Sequence, residues 1–180
     1  PDSRIVYVDN DPLVLAHARA LLTSSAEGET RYVHADMRDT ATVLKGAAEI
    51  LDFGRPIGLI FSGVLGHVVA DDDARELVRT LVDALAPGSF LVIADGGEDE
   101  AALQANEEYS ATGGALYRFR TRAEVVSLFP DGMQFVDPGF VLINSWRPDR
   151  PELVEGVSTI TGGPVELPVV PNYAGMARKP

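Results

Sequence analysis

Short apolar runs alternate with helical stripes along the first half of this chain. Residues 4 to 9 read as a short buried strand, Ile5-Val6-Tyr7-Val8 closing on Asp9. Asp11 then offers an N-cap and Pro12 suits the first helical position. Val14, Ala18, Leu21 and Leu22 keep helical spacing up to Gly28. Thr30 to Ala35 is the next strand, stopping at Asp36-Met37, and a weaker helical pattern runs from Ala41 to Leu51. Pro56 to Phe61 is a third strand, followed by Ser62-Gly63-Val64. The clearest helix comes next: Ala74, Leu77, Val78, Leu81, Val82 and Leu85 hold an i, i+3, i+4 stripe. Asp71, Asp72 and Asp73 stand at its start, where carboxylates cap a helix and complement its dipole. Pro87-Gly88 stops it, and Phe90 to Ala94 is a fourth strand ending at Asp95. Alternating helices and continuously apolar strands predict an α/β fold whose parallel sheet is covered on both faces.

The second half changes character. Glu98 to Tyr109 is polar with a helical pattern, and Thr121-Arg122-Ala123-Glu124 matches a capping box before Val125, Val126, Leu128 and Phe129. Met133 to Val136 and Phe140 to Trp146 are strand candidates around a Pro138-Gly139 turn. From Arg147 to Asn172 the chain carries Pro148, Pro151, Pro164, Pro168 and Pro171, which predicts a long loop. Tyr173 to Ala177 is a candidate last strand.

Composition narrows the partners. With 180 residues and 46% hydrophobic content the chain has material for one domain with a real core. A net charge of -12 opposes binding to phosphate backbones, so no nucleic-acid partner is expected. The densest basic cluster, Arg118, Arg120 and Arg122, reads as ordinary surface charge. There are no cysteines, hence no disulfides, thiolate metal sites or cysteine nucleophiles. No apolar run reaches the roughly 18 residues of a membrane helix, and a cytoplasmic protein without a membrane partner is the expectation. No phosphate-loop Gly-Lys-Ser/Thr, Gly-x-Ser-x-Gly elbow or zinc-type histidine spacing is present.

Two strands that each end in an acid, Asp9 and Asp36, place a candidate site beyond the carboxyl ends of the sheet. The order of motifs sharpens this. Val6-Tyr7-Val8-Asp9-Asn10-Asp11-Pro12, then Ala35-Asp36-Met37, then Leu85-Ala86-Pro87-Gly88-Ser89-Phe90-Leu91-Val92-Ile93 resemble successive motifs of the class I S-adenosylmethionine-dependent methyltransferases. The run from Tyr7 to Leu22, with the closing Tyr173 to Pro180, is similar to a methyltransferase-like family catalogued as a domain of unknown function. The resemblance covers nearly the whole chain and implies a Rossmann-like sheet, mostly parallel, with an antiparallel C-terminal strand. It divides a single domain into cofactor-binding β-α units (1–95), a helical acceptor-side segment (96–133), and C-terminal strands with a long loop (134–180). Such enzymes begin with a strand and a glycine-rich loop, whereas Pro1-Asp2-Ser3-Arg4 already leads into what matches the second strand. The expectation is an N-terminally incomplete domain with a hole in the sheet between the strands ending at Asp9 and Ser62.

The resemblance also implies a site. Asp9 would accept two hydrogen bonds from the ribose hydroxyls of an adenosine-type ligand, since a carboxylate is acceptor-only and its oxygens match a vicinal diol. Its alternative role, capping the next helix, is one that Asp11 already fills. Asn10 reads equally as an adenine or ribose contact and as a turn residue. Asp36 with Met37 resembles an adenine site, carboxylate to exocyclic amine and apolar side chain to ring; Asp36 as the start of a loop is the alternative. Ser62, Gly63 and Val64, with His67 beyond them, occupy the place that lines the sulfonium and the acceptor. His67 is a general base if the acceptor must lose a proton, or else a surface or helix-start histidine. Tyr109, Tyr117 and Phe119 fall in the acceptor segment, with core packing the stronger reading for each.

The implied function is S-adenosylmethionine-dependent methyl transfer to a small-molecule acceptor; the alternative is a non-catalytic S-adenosylmethionine-binding or scaffold domain. Ser62-Gly63-Val64-Leu65 stands where nucleic-acid amino-methyltransferases carry Asn/Asp-Pro-Pro-aromatic. A nicotinamide-dependent oxidoreductase fits poorly, because Lys45 and Lys179 are the only lysines and neither completes a Tyr-x-x-x-Lys pair.

Overall fold

The computed structural model describes residues 2–97, 100–147, 157–158, 164–165 and 172–180. The chain runs β1 (Arg4–Asp9), α1 (Pro12–Leu21), β2 (Glu29–His34), α2 (Thr40–Ala47), β3 (Gly58–Ser62), α3 (Asp71–Asp83), β4 (Phe90–Gly96) and α4 (Glu100–Ala111). It continues with α5 (Arg122–Val126), β5 (Gln134–Phe135), β6 (Val141–Leu142), β7 (Val157–Ser158), β8 (Pro164–Val165) and β9 (Asn172–Arg178). Short 3₁₀ turns occupy Leu65–His67 and Ile143–Ser145.

The architecture is α/β. β1 pairs with β2 in parallel, β3 with β4 in parallel, and β9 enters antiparallel to β4, with β5 and β6 antiparallel to β9. The core lies where α3 crosses β3 and β4. Leu77, Val78, Leu81 and Val82 of α3 meet Phe61, Leu91 and Ile93, all buried. Each such side chain contributes about 1.5–3 kcal/mol by leaving water. β9 is tied to the end of α3 by Lys179, whose Nζ donates to the carbonyls of Val82 (2.9 Å), Asp83 (3.2 Å) and Leu85 (2.7 Å). A cation on the last carbonyls of a helix meets both its orphan acceptors and its dipole.

The sheet is interrupted. β1–β2 and β3–β4–β9–β5 are separate sheets. Between β1 and β3 lies a cavity of about 1550 Å³, lined by Arg4, Ile5, Tyr7 and Val8 on one side and Gly58, Ile60 and Ser62 on the other. The expectation that β1 is buried and the strands covered on both faces is therefore corrected: Ile5 is 41% and Ile60 66% exposed, because the cleft leaves their edges without a neighbour.

Other expectations shift in detail. α1 stops at Leu21, its Asp11 cap accepting from the Leu13 amide as the sequence predicts. Its predicted apolar stripe is not its buried face: Val14, Leu21 and Leu22 are exposed and Leu15 is buried, since β1 and β2 offer only a narrow surface to pack on. The Thr121–Glu124 capping box is present, and the Thr121 amide, before its hydroxyl, holds the Glu124 carboxyl below the usual range. Asp71, Asp72 and Asp73 form the first turn of α3, but Ala70 is the N-cap and no side chain caps it. Phe140 to Trp146 is not one strand: only Val141 and Leu142 pair with β9 before the chain turns into a 3₁₀ segment. The predicted long loop includes an antiparallel β7–β8 pair, with Pro164 in β8. Glu98 in the predicted fourth helix, and Pro148, Pro151, Pro168 and Pro171 in the loop, lie outside the described residues.

Candidate functional site

β1 and β2 run in register, Asp9 opposite His34, and the Ala35 amide donates to the Asp9 carbonyl at 3.1 Å. Parallel pairing thus carries both chains to one rim, with Asp36 one residue beyond the last bond. Asp9 is half-buried. Its Oδ1 accepts from the Asp11 amide at 2.8 Å, a two-residue turn that engages one carboxylate oxygen. Asp11 in turn accepts from Leu13 at 2.7 Å, so helix capping belongs to Asp11. Asn10 is exposed, and its carbonyl lies 3.1 Å from Nε2 of His34. A carbonyl only accepts, so this contact places a proton on that nitrogen.

Asp36 is also half-buried. Its Oδ1 accepts from the Arg38 amide (2.9 Å) and its Oδ2 from Arg38 Nη1 (3.1 Å). Arg38 then spans to the next tip, Nη2 donating to the carbonyl of His67 at 2.9 Å. Met37 packs against the core and shares the cavity wall with Val8, Ser62 and Val64. Of the predicted residues, Met37, Ser62 and Val64 line this cavity, whereas Asp9, Asn10, Asp36, Gly63 and His67 are not among its lining residues.

Beyond β3, Gly63 takes φ +64°, a conformation that favours glycine, and its amide donates to the Ala94 carbonyl at 2.7 Å. A Cβ there would meet nothing within 4 Å, so the backbone adjoins open space. Gly66 is held for the opposite reason: a Cβ would collide with the ring of Tyr117. His67 stacks edge-on to that ring at 4.9 Å, and its Nδ1 lies 3.1 Å from the Leu116 carbonyl. The contact places a proton on Nδ1, so in the neutral ring Nε2 is the acceptor.

Sequence reading passed over the most buried polar groups here. Asp95 is 6% exposed and its Oδ1 accepts from the Gly96 amide (2.9 Å) and from the Tyr117 hydroxyl. Burial pushes the Asp95 carboxyl above the usual range, opposed by the bonds from Tyr117 and Gly96 and by the charges of Arg120 and His67. Burial, then Asp95 itself, pushes the Tyr117 phenol well above its ordinary value. Arg120 is 2% exposed: Nε donates to Asp71 Oδ1 and Nη1 to the Leu65 carbonyl, both at 2.9 Å, and Nη2 donates to the Val68 carbonyl. Arg118 Nη2 sits 2.9 Å from both Asp71 Oδ2 and Glu124 Oε1, and Arg122 donates to the Phe140 carbonyl.

The surface-charge reading of this arginine group is therefore wrong for Arg120, which is buried; Arg118 is partly buried and Arg122, though it donates to the Phe140 carbonyl, is exposed. Asp71 anchors Arg118 and Arg120 and does not serve as a helix cap. The period-two spacing of Arg118, Arg120 and Arg122 against Tyr117 and Phe119 was the available signal. It marks an extended segment with two faces without saying which one is inside. Tyr117 and Phe119 pack on each other at 4.9 Å, and Tyr109 is 60% exposed, against the core reading for that residue.

Among the described residues no helix is long and apolar enough to cross a membrane. No curated protein matches the chain. Solved structures do match, over nearly all of it. A DUF574 family protein from Streptomyces avermitilis MA-4680 is 36% identical with TM-score 0.85, over 100% of this chain and 66% of that one. A candidate methyltransferase from Thermobifida fusca YX is 31% identical with TM-score 0.79, over 99% and 64%. The chain thus spans about two thirds of the length of these relatives. A Methanosarcina mazei SAM-dependent methyltransferase shares the fold at 12% identity and TM-score 0.55, over 98% of this chain and 82% of that one. The family model described as S-adenosyl methyltransferase matches residues 1–180, and the chain belongs to that family.

Proposed function

We propose that this protein transfers the methyl group of S-adenosylmethionine to a small-molecule acceptor at the tips of β1, β2 and β3. The observation that carries the reading is the shared rim of Asp9 and Asp36, half-buried carboxylates at and just beyond the ends of adjacent parallel strands. The residues fit such a ligand. Asp9 keeps acceptor capacity for a ribose diol beyond its bond to Asp11. Asp36 and Met37 pair a carboxylate with an apolar wall for adenine, and Asn10 borders them. Ser62, Gly63 and Val64 line the reacting end, where the open space beside Gly63 admits close backbone approach. When bound, S-adenosylmethionine supplies an electrophilic methyl carbon; the chain's task is alignment and water exclusion. His67, whose Nε2 accepts when the ring is neutral, is a candidate base on the acceptor side.

The acidic charge supports a small molecule over a nucleic acid as acceptor. The reading keeps the cytoplasmic location and the absence of a membrane partner expected from the sequence. It also places one further strand in the cleft between β1 and β3. The open edges and exposed Ile60 support that placement.

Calorimetric titration of the full-length protein with S-adenosylmethionine and with NAD tests the function. Binding of the first alone is expected; binding of neither favours a scaffold domain. Amide exchange tests the strand: the free amides of β1 and β3 at the cleft are expected to be protected in the full-length protein.

A further inference from the structure

We infer that Tyr117 and Asp95 form a proton relay on the acceptor side, which deprotonates an acceptor bearing an O–H or N–H group. The inference rests on the methyl-transfer reading and names the acceptor's class. A phenol has one proton to donate and two lone pairs. Tyr117 spends its proton on Asp95 Oδ1, so towards any ligand its oxygen is an acceptor only. A ligand that meets it must bring a hydrogen-bond donor.

The pair stands beside the β3 tip. Ala94, next to Asp95, is the register partner of Ser62 and accepts from the Gly63 amide at 2.7 Å. Tyr117 lies over Gly66, with the Arg118 amide bonded to the Gly66 carbonyl at 2.8 Å and Asn106 Nδ2 to the Tyr117 carbonyl at 2.8 Å. These bonds hold the backbone at Tyr117 from two elements. The groups facing the pair are the Gly96 amide, Tyr173 across from Asp95 on β9, the edge-on His67 ring, Phe119, and Arg120 with its Asp71 partner.

The step balances. A lone pair on the acceptor heteroatom forms the bond to the methyl carbon, and the carbon–sulfur bond breaks with its electrons returning to sulfur. The acceptor's proton passes to Tyr117 Oη while the proton already on Oη passes to Asp95 Oδ1. A positive sulfonium and a negative carboxylate both become neutral. Burial that disfavours the Asp95 carboxylate thereby drives the transfer, and the raised phenol keeps phenolate from accumulating at rest.

Full-length protein and its D95N, Y117F and H67A variants test the relay. In D95N the side-chain amide oxygen would still accept both bonds but could not take up a proton. S-adenosylmethionine affinity by calorimetry is expected to be unchanged in D95N and Y117F. Carbon-13 titration is expected to show the Asp95 carboxyl above ordinary aspartates, and higher again in Y117F, which lacks the bond that steadies its charge. Tritiated methyl transfer to phenol and benzylamine at neutral pH is expected to fall about 100- to 10,000-fold in both variants. With 4-nitrophenol, which ionises unaided, the loss should shrink. An unmoved Asp95 titration in Y117F, or equal losses on phenol and 4-nitrophenol, overturns the relay. So does wild type that binds S-adenosylmethionine but methylates none of these probes. Loss in H67A with retention in D95N gives the base to His67. Wild type that fails to bind S-adenosylmethionine removes the methyl-transfer reading itself, while the Asp95 titration is still readable.

Discussion

Arg38 bolts two strand tips together: its guanidinium pairs with Asp36 at 3.1 Å and donates to the backbone carbonyl of His67, 29 residues away, at 2.9 Å. The side chain is 57% exposed, so the ion pair itself adds little stability, about 0–1 kcal/mol. Its value is alignment. R38A is expected to leave the denaturant midpoint nearly unchanged and to weaken S-adenosylmethionine binding severalfold. R38K should not restore it, because a single ammonium cannot serve two directions as a planar fork does. Unchanged affinity in R38A, measured by calorimetry, would remove this role.

Asp9 and Asp71 are both acids at element ends, yet their variants are expected to fail differently. D9A removes a carboxylate proposed to hold ribose hydroxyls, and the loss of such charged hydrogen bonds costs about 1.5–3 kcal/mol of binding. D71A removes the partner of Arg118 and of buried Arg120 and should lower stability with cofactor affinity largely kept. Parallel calorimetry and urea unfolding separate the two. Wild-type affinity in D9A would eliminate the ribose role.

Arg120 is the strut beneath the loop after β3. It joins Asp71 to the carbonyls of Leu65 and Val68, so three acceptors depend on one cation. R120M leaves them without it. Breaking a buried pair from one side costs about 3–5 kcal/mol, and the lower end is expected because Asp71 keeps 25% exposure and regains water. Urea midpoints measure it; a loss below about 1 kcal/mol would mean that the loop rehydrates freely.

The elements that sequence reading located are those whose signal is local. β1, with residues 4 to 9, and the caps at Asp11 and Thr121 depend on neighbours a few residues away. The α3 stripe is similarly legible, since its buried residues recur at helical spacing. What escaped is set by distant partners. Nothing near Arg120 in the chain announces Leu65, Val68 or Asp71, about 50 residues earlier. Asp95 looked like a strand end, but β4 continues to Gly96 and is covered by β9, so that carboxylate is enclosed. In α1 the apolar stripe was real but its partner surface was not there, which left Val14 and Leu21 exposed. The rim of Asp9 and Asp36 was legible because parallel strands bring their carboxyl ends together whatever the rest of the sheet does.

Asp95 also gives the fold a pH dependence of defined sign. Its folded-state proton affinity is raised, chiefly by burial, above that of the unfolded chain. Between the ordinary aspartate value and that raised value, the native state holds more protons than the unfolded state, and stability falls as pH rises. Below the ordinary value the group is protonated in both states and has no effect; above the raised value the full penalty stands. An amide at this position has no proton to lose. D95N should therefore flatten the decline in urea midpoint on going from mildly acidic to neutral pH and raise stability relative to wild type at pH 7. Wild-type and D95N midpoints that stay parallel across this range would show that the Tyr117 and Gly96 bonds and the Arg120 charge outweigh burial, and that the carboxylate rests ionised at no cost.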